Sequence, residues 1–326
     1  MSNGVPPMMN SFAVILSAVG VVSSVFSFLM NIYLMKKIRR NKKKDMILFY
    51  YRISVDVLLS ALVTCFLTFV IVFSFFAKEL AKYHGLIFYF SFPASNVGAA
   101  RSIVTLCIAM ERMIVRIFKK KNAFHIHFNL IFVSLQAAYI PIFFHNYRHF
   151  FPTVLILLFA LVFGITEEIV LYGFCGFHLN MPHNCAALGC AVNTCFFDYW
   201  TSHKSTIFAL NFGFSLLLCI KLFVINKLGK KTSVELSRAN RLALIDVATV
   251  FLSDFLPSFL ANQFSSTGFF SFENIGPYGA VAKMIGCAIE AASVFSTLKG
   301  KLRGSSVENS KSTGKVLMKT NGVRNY

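Results

Sequence analysis

Six charged side chains interrupt long apolar runs in this chain: Asp56, Arg101, Asp246, Asp254, Lys283 and Glu290. Carboxylates, an ammonium and a guanidinium in a dry interior can do two kinds of work. They can lock neighbouring helices together as ion pairs, or they can relay a proton or another small ion. Each costs about 2.5–3.5 kcal/mol at the centre of a membrane span, so each should face the other helices and find an opposite charge. Lys283 and Glu290 are seven positions apart and so share one face of a helix. Arg101 is placed to meet that face or the adjacent acids Glu167 and Glu168. These four residues other than Glu290 are the candidates to line a pocket. Asn31, Asp56, Asp246, Asp254, Glu290 and a mid-helix Pro257 form a structural polar set, with Asn31 and Asp56 expected to hydrogen-bond across two helices.

Two further groups have chemistry in their spacing. Glu111-Arg112 ends the apolar stretch Ala99 to Val115 on its basic side. There an arginine can exchange partners while the neighbouring glutamate restrains it; the plainer reading is an arginine snorkelling to the membrane surface. Cys175, Cys185, Cys190 and Cys195 cluster in one polar segment. On an oxidising side, four nearby cysteines favour two disulfides, with three connectivities open. A zinc site is the alternative, although no Cys-x-x-Cys pair supports it. Cys65, Cys107, Cys219 and Cys287 lie in apolar runs and read as small packing residues.

The elements that must position these groups are membrane helices. Of 326 residues, 56% are hydrophobic and 14% charged, whereas soluble domains carry about 45–50% apolar and about 25% charged residues. Several runs exceed the roughly 20 residues needed to cross about 30 Å of hydrocarbon. In order they are Ser11–Met35, Met46–Phe76, Leu86–Val115, Phe150–Phe174, Thr206–Ile225, Leu242–Gln263 and about Pro277–Thr297, with a polar, cysteine-bearing loop from Cys175 to Ser205. Met1 to Asn10 has no Lys or Arg, so a cleaved signal peptide is not expected, and the N-terminus is placed outside.

Charge fixes the count. The chain has 32 Lys and Arg against 13 Asp and Glu, an excess that could mark a nucleic-acid binder. Seven of the nine residues from Lys36 to Lys44 are basic, and Lys227, Lys230, Lys231, Arg238 and Arg241 mark a second basic loop. With seven spans, the outer loops keep only Lys78, Lys82 and Lys204. The positive-inside preference accounts for that asymmetry and removes the nucleic-acid reading. Phe124–Phe144 would serve as an eighth span, but it would turn the second basic loop and the basic tail outward, so it is kept inside. The expected fold is an all-α membrane protein, a seven-helix bundle occupying 1–298 with a disordered tail at 299–326. A Gly-rich phosphate loop, His-Glu-x-x-His and a nucleophile elbow are all absent from the sequence, so no catalysis, cofactor or metal is expected.

Seven spans, Glu-Arg at the inner end of the third and Pro257 in the sixth resemble a G-protein-coupled receptor. More narrowly, the chain resembles the nematode serpentine chemoreceptors of class BC. The resemblance is carried by Ile108-Ala-Met-Glu-Arg-Met-Ile114, Tyr139-Ile-Pro-Ile-Phe-Phe-His-Asn-Tyr-Arg148, Gly189-Cys-Ala-Val-Asn-Thr-Cys-Phe-Phe-Asp-Tyr-Trp200, Ala239-Asn-Arg-Leu-Ala-Leu-Ile-Asp246 and Asp254-Phe-Leu-Pro257. It implies a chemosensory receptor in the plasma membrane of a sensory neuron, with cilia the expected site, that binds a small extracellular molecule and couples to a heterotrimeric G protein. Glu111, Arg112, Arg148, Arg238 and Arg241 would form the coupling face. Rhodopsin-like receptors usually tie the outer loop to a cysteine at the outer end of the third span; Gly85 to Ala99 has none, so here the loop is expected to be stapled within itself. Met113 stands where relatives often have an aromatic residue, and the last span lacks Asn-Pro-x-x-Tyr.

One stretch departs from the family pattern. Related receptors have a short second inner loop, whereas this chain carries an extra segment at about 116–137. Removing Val115 to Gln136, which is 22 residues and so preserves the reading frame, joins Glu-Arg-Met-Ile to Ala-Ala-Tyr-Ile-Pro. Val-Arg can be encoded with a splice-donor-like start and Leu-Gln with an acceptor-like end, which points to a translated intron or a gene-prediction error. A genuine family-specific insertion is the alternative. His125 and His127 fall in this segment and are not expected to be ligands. The rival functions are a small secondary transporter and a nonfunctional product of such a misread gene. Against transport, the sequence has no inverted repeat and no pair of broken half-helices.

Overall fold

A computed structural model of the chain describes residues 11–40, 47–119, 153–179, 188–228, 245, 248–263 and 277–297. Among these residues the secondary structure is helical throughout, and seven main helices carry the fold. We label them α1 (Ser11–Arg40), α2 (Ile47–Phe75), α3 (Leu86–Lys119), α4 (Thr153–Glu168, continued by a π-helical turn Ile169–Phe174), α5 (Thr194–Leu228), α6 (the π turn Val250–Phe255 followed by Leu256–Gln263) and α7 (Tyr278–Thr297). Ser11–Lys37, Tyr50–Phe75, Ile156–Phe174 and Tyr278–Thr297 are long and apolar enough to cross a membrane by themselves. Outer faces are apolar too: Val22 of α1, Leu161 of α4 and Phe223 of α5 are each more than half exposed. Such surface suits lipid and would be a liability in water.

α3 is more polar because it is the central helix. It packs against α2, α4 and α5, and α6 packs on α5. Ser91, Ser95, Arg101, Ser102 and Thr105 on α3 are all buried. Inside lipid, apolar contact alone does not drive helices together, so close packing and interhelical hydrogen bonds at about 0.6 kcal/mol each do the joining. Ser24 Oγ and Thr64 Oγ1 are 2.8 Å apart across α1 and α2. Asn211 Nδ2 of α5 donates to the Ser102 carbonyl of α3 at 3.0 Å. Where a neighbouring side chain packs directly onto a helix backbone, the residue is glycine. A Cβ on Gly20 would strike Leu67 of α2 at 2.6 Å and Val281 of α7 at 2.8 Å. One on Gly286 of α7 would lie 3.0 Å from Thr249 Cγ2 and collide with Ser253, both on the α6 side. These contacts close the ring of helices.

Phenylalanine fills the half of the bundle that carries a disulfide. Phe88 stacks on Phe92 and Phe177 with centroids 5.1 and 5.2 Å apart, in a cluster with Leu59, Leu67, Leu171 and Phe196. The opposite half holds smaller clusters around Ile103 and Val104, and around Leu34 and Ile53.

One boundary differs from the sequence reading. The segment before Thr206 is expected to be loop, yet α5 begins at Thr194. Asn193 starts it: its Oδ1 accepts the Phe196 N–H at 3.0 Å, capping an otherwise unpaired backbone donor. Asp198 and the run Thr201 to Ser205 then interrupt the apolar pattern without interrupting the helix. Residues 120–152, most of the proposed inserted segment among them, and the tail from 298 lie outside the described residues.

Candidate functional site

Two polar layers cross the interior of the bundle. The layer nearer the disulfide is built on Ser95 of α3. Its hydroxyl donates to Glu167 Oε2 at 2.6 Å and accepts from Trp200 Nε1 at 2.9 Å and Lys204 Nζ at 2.7 Å. One donor and two lone pairs are thereby all used. Lys204 Nζ also stands 3.9 Å from Glu167 Oε1 and 4.1 Å from the Trp200 ring centre. Three helices, α3, α4 and α5, meet at this hydroxyl.

The deeper layer is built on Arg101. Its Nε donates to Asp56 Oδ1 of α2 at 2.6 Å, and its Nη2 donates to Glu290 Oε2 of α7 at 2.8 Å. Nη1 is 3.6 Å from Asp254 Oδ2 of α6. Arg52 of α2 donates to the same Glu290 oxygen, and Lys283 Nζ of α7 is 3.6 Å from Asp254 Oδ1. Three cations and three carboxylates therefore balance across four helices. A planar guanidinium with five donors in a fixed fork suits this centre, because it can address several carboxylates at once. The π turn Val250–Phe255 holds Asp254 in this position, three residues ahead of Pro257. Proline removes a backbone donor, and π turns of this kind recur at functional positions.

Between the two layers lies a cavity of about 150 Å³. Ser95, Trp200, Lys204, Phe208, Asp254 and Lys283 line it, and Leu188 closes it from the disulfide side. Leu188 belongs to a short helix, Leu188–Ala191, within the segment bounded by the disulfide Cys175–Cys195, whose Cα atoms are 5.7 Å apart. This bond staples the end of α4 to the start of α5. Gly176, at φ +54°, lets the chain leave α4 immediately after Cys175, and the Phe177 N–H reaches back to the Leu171 carbonyl at 3.1 Å. Cys195→Ser opens a loop with a sequence separation of 20 and should cost about 3 kcal/mol. Thermal melting of the purified protein under non-reducing conditions checks it; an unchanged melting temperature would mean that the packed helices hold the loop unaided.

Of the four pocket candidates, Lys283 lines the cavity. Arg101 is not among the residues that line it: three carboxylates take up its guanidinium, and of its two expected neighbours it meets the Glu290 face of α7 and not Glu167. Glu167 is buried behind Ser95, and Glu168 points away from the cavity, where its Oε1 accepts from Asn96 Nδ2 at 3.2 Å. Adjacent residues on a helix are about 100° apart, and here that offset sends the two glutamates to different partners. Lys283 and Glu290 do share a face and bind the same ionic layer. The expected Asn31–Asp56 link takes another route. Asn31 Nδ2 and Ser60 Oγ both reach Ser27 Oγ at 3.2 Å, while Asp56 accepts from Arg101. Pro257 lines the cavity. Glu111 and Arg112 fall within α3, but their side chains lie outside the described residues, as do Arg148, Arg238, Arg241, Asp246, Cys185 and the thiol of Cys190.

Sequence reasoning misses Ser95, Trp200, Lys204 and Arg52. Lys204 reads as one of three outer-loop lysines because the start of α5 is hidden. Asn193 is the available signal, since it places Trp200 and Lys204 four apart on one helical face.

The model of one protein family, described as serpentine type 7TM GPCR chemoreceptor Srbc, matches the chain over residues 9–135 and 124–302. No curated protein matches it.

Proposed function

We infer the function from one premise: the chain belongs to the Srbc family of nematode serpentine chemoreceptors, a family of multi-pass, seven-helix membrane receptors and not of enzymes. In the proposed reading, a small molecule enters from outside the cell and occupies the cavity between α3, α5, α6 and α7. It favours one of two helix packings by its difference in affinity for them, since a ligand that binds both equally shifts neither. The inner end of α6, around Arg238 to Asp246, then moves off Glu111-Arg112 and admits a heterotrimeric G protein, with Arg148 and Arg241 on the same face. The receptor sits in the plasma membrane of sensory cilia with its N-terminus outside.

The observation that carries this reading is the position of the cavity. Its wall includes Asp254 and Lys283, which belong to the same ionic layer that ties α2, α3, α6 and α7 together. A molecule in the cavity therefore touches the charges that set how these helices pack. Full-length receptor expressed with calcium and cyclic-AMP reporters should respond to at least one member of a small-molecule library, and Lys283→Met should lose that response. Uptake of a solute without any G-protein nucleotide exchange would replace the receptor with a transporter.

Residues 115–136 are proposed to be an insertion in the second inner loop. In support, the family match comes in two stretches that share residues 124–135, so its break falls inside this segment.

A further inference from the structure

Two ammonium groups face one small cavity. Lys204 of α5 and Lys283 of α7 line it together with a single carboxylate, Asp254, so the charged lining sums to +1 among the described residues. Their counter-charges are distant. Lys204 stands 3.9 Å from Glu167, which is not part of the cavity wall, and Lys283 stands 3.6 Å from Asp254. Both separations exceed a normal charge-assisted hydrogen bond. Asp254 is moreover shared with Arg101 at 3.6 Å. Lys204 spends one N–H on Ser95, and Lys283 spends none on any hydrogen bond among the described residues. About five ammonium N–H donors thus remain for a guest.

The remaining wall is aromatic and aliphatic. Lys204 lies over Trp200, and Lys283 Nζ is 5.2 Å from the Phe208 ring centre. The volume, about 150 Å³, equals that of an engineered protein cavity that holds benzene. A cation entering here would find Oδ1 of Asp254 without a hydrogen bond, but that oxygen is already ion-paired with Lys283 and the cation would stand against two ammonium groups. An anion would meet both of them.

We propose that the ligand is a small organic monoanion, a carboxylic acid of about six to nine non-hydrogen atoms, whose carboxylate is held between Lys204 and Lys283. This rests on the cavity being the ligand site, as proposed above. Gly98 makes the geometry available: a Cβ there would lie 3.1 Å from Lys283 Nζ, so the ammonium occupies space that any other residue would narrow. The same contact supplies a trigger. When the guest carboxylate takes Lys283, Asp254 is left with Arg101 alone, and Arg101 already serves Asp56 and Glu290. Arg52 and Arg101 then face three carboxylates. Asp254 is the surplus negative charge, and it sits on the π turn of α6. Binding of an acid thereby weakens the hold on the helix proposed to move.

The test uses purified full-length receptor in lipid nanodiscs, titrated near neutral pH with shape-matched triplets. Benzoate, benzamide and benzylamine form one; isovalerate, isovaleramide and isopentylamine form the other. Ligand-observed NMR and the shift in melting temperature report binding. The acid of at least one triplet should bind about tenfold more tightly than its amide and amine. Lys283→Met alone strands Asp254, so the double variant Lys283→Met/Asp254→Asn is used; it removes one of the two ammonium groups that hold the carboxylate and should shrink the preference for acid over amide severalfold, leaving what Lys204 sustains alone. Gly98→Ala, which displaces the ammonium without removing it, should weaken acid binding severalfold. Amides or amines binding as well as the acids would overturn the anion assignment and leave the cavity as the ligand site. Failure of every compound to bind folded receptor would overturn both.

Discussion

Arg101→Ala will cost the receptor its fold in the membrane. Among the described residues, the guanidinium is the cation on which Asp56 of α2, Asp254 of α6 and Glu290 of α7 all converge. Truncating it leaves Arg52 and Lys283 facing three buried acids. Removing one partner of a buried pair costs about 3–5 kcal/mol, because the remaining charge cannot be hydrated. A domain is stable by only about 5–15 kcal/mol in total. Antibody labelling of intact cells should therefore show the Arg101→Ala protein largely lost from the surface, and the solubilised remainder should melt well below wild type. Arg101→Lys should fall between the two, since one ammonium cannot reproduce a fork that addresses three carboxylates. Arg101→Gln/Asp56→Asn restores the balance of two cations to two acids and should recover part of the loss. Wild-type surface level and melting temperature in Arg101→Ala would show that the ionic layer does not hold the helices.

Deleting Val115 to Gln136 should raise signalling about tenfold or more. The segment adds 22 residues, four of them Lys or Arg and none acidic, directly after Glu111-Arg112. Under the proposed orientation it stands on the face that meets the G protein. A typical protein interface uses about 20–30 residues a side, so an insertion of this length is comparable to the whole docking face. An obstruction worth only about 1.4 kcal/mol would lower G-protein affinity tenfold. A nucleotide-exchange assay on both forms, matched for surface level, decides the matter, and equal responses would mean that the segment is a tolerated loop. Sequencing the transcript gives an independent check: a spliced message joining Ile114 to Ala137 supports the insertion reading, and a message that always keeps the segment argues against a translated intron.

Much of this architecture is legible in the sequence, for identifiable reasons. α1, α2, α4 and α7 are apolar on nearly every face, because lipid and protein both demand it, and a hydropathy run finds them. The first dozen residues of α5 escape the same reading. Asp198, Thr201, Ser202, His203 and Lys204 break the run, although the cap at Asn193 marks where the helix begins. The charges are legible as a set and not as pairs. That Asp56, Arg101, Asp254, Lys283 and Glu290 must compensate one another follows from their cost in hydrocarbon. Which acid meets which base depends on the rotation of α3 and on the backbone register of the π turn at Val250–Phe255, and neither leaves a trace in residue types. Arg52 lies six residues inside the span read as Met46–Phe76 and close behind a strongly basic loop, and it carries no signal of its own beside those lysines. Glu167 and Glu168 show the limit most simply: two identical side chains side by side, of which helix geometry buries one and turns the other away.

A ligand can reach the cavity from outside, and Glu111-Arg112 can meet a G protein inside, only if the bundle crosses the membrane an odd number of times with its basic loops in the cytoplasm. Epitope tags on Met1 and Tyr326, stained in intact and then permeabilised cells, measure this directly. The N-terminal tag should be accessible in intact cells, and the C-terminal tag only after permeabilisation. Both tags on the same side, or the C-terminal tag exposed outside, would contradict the receptor assignment.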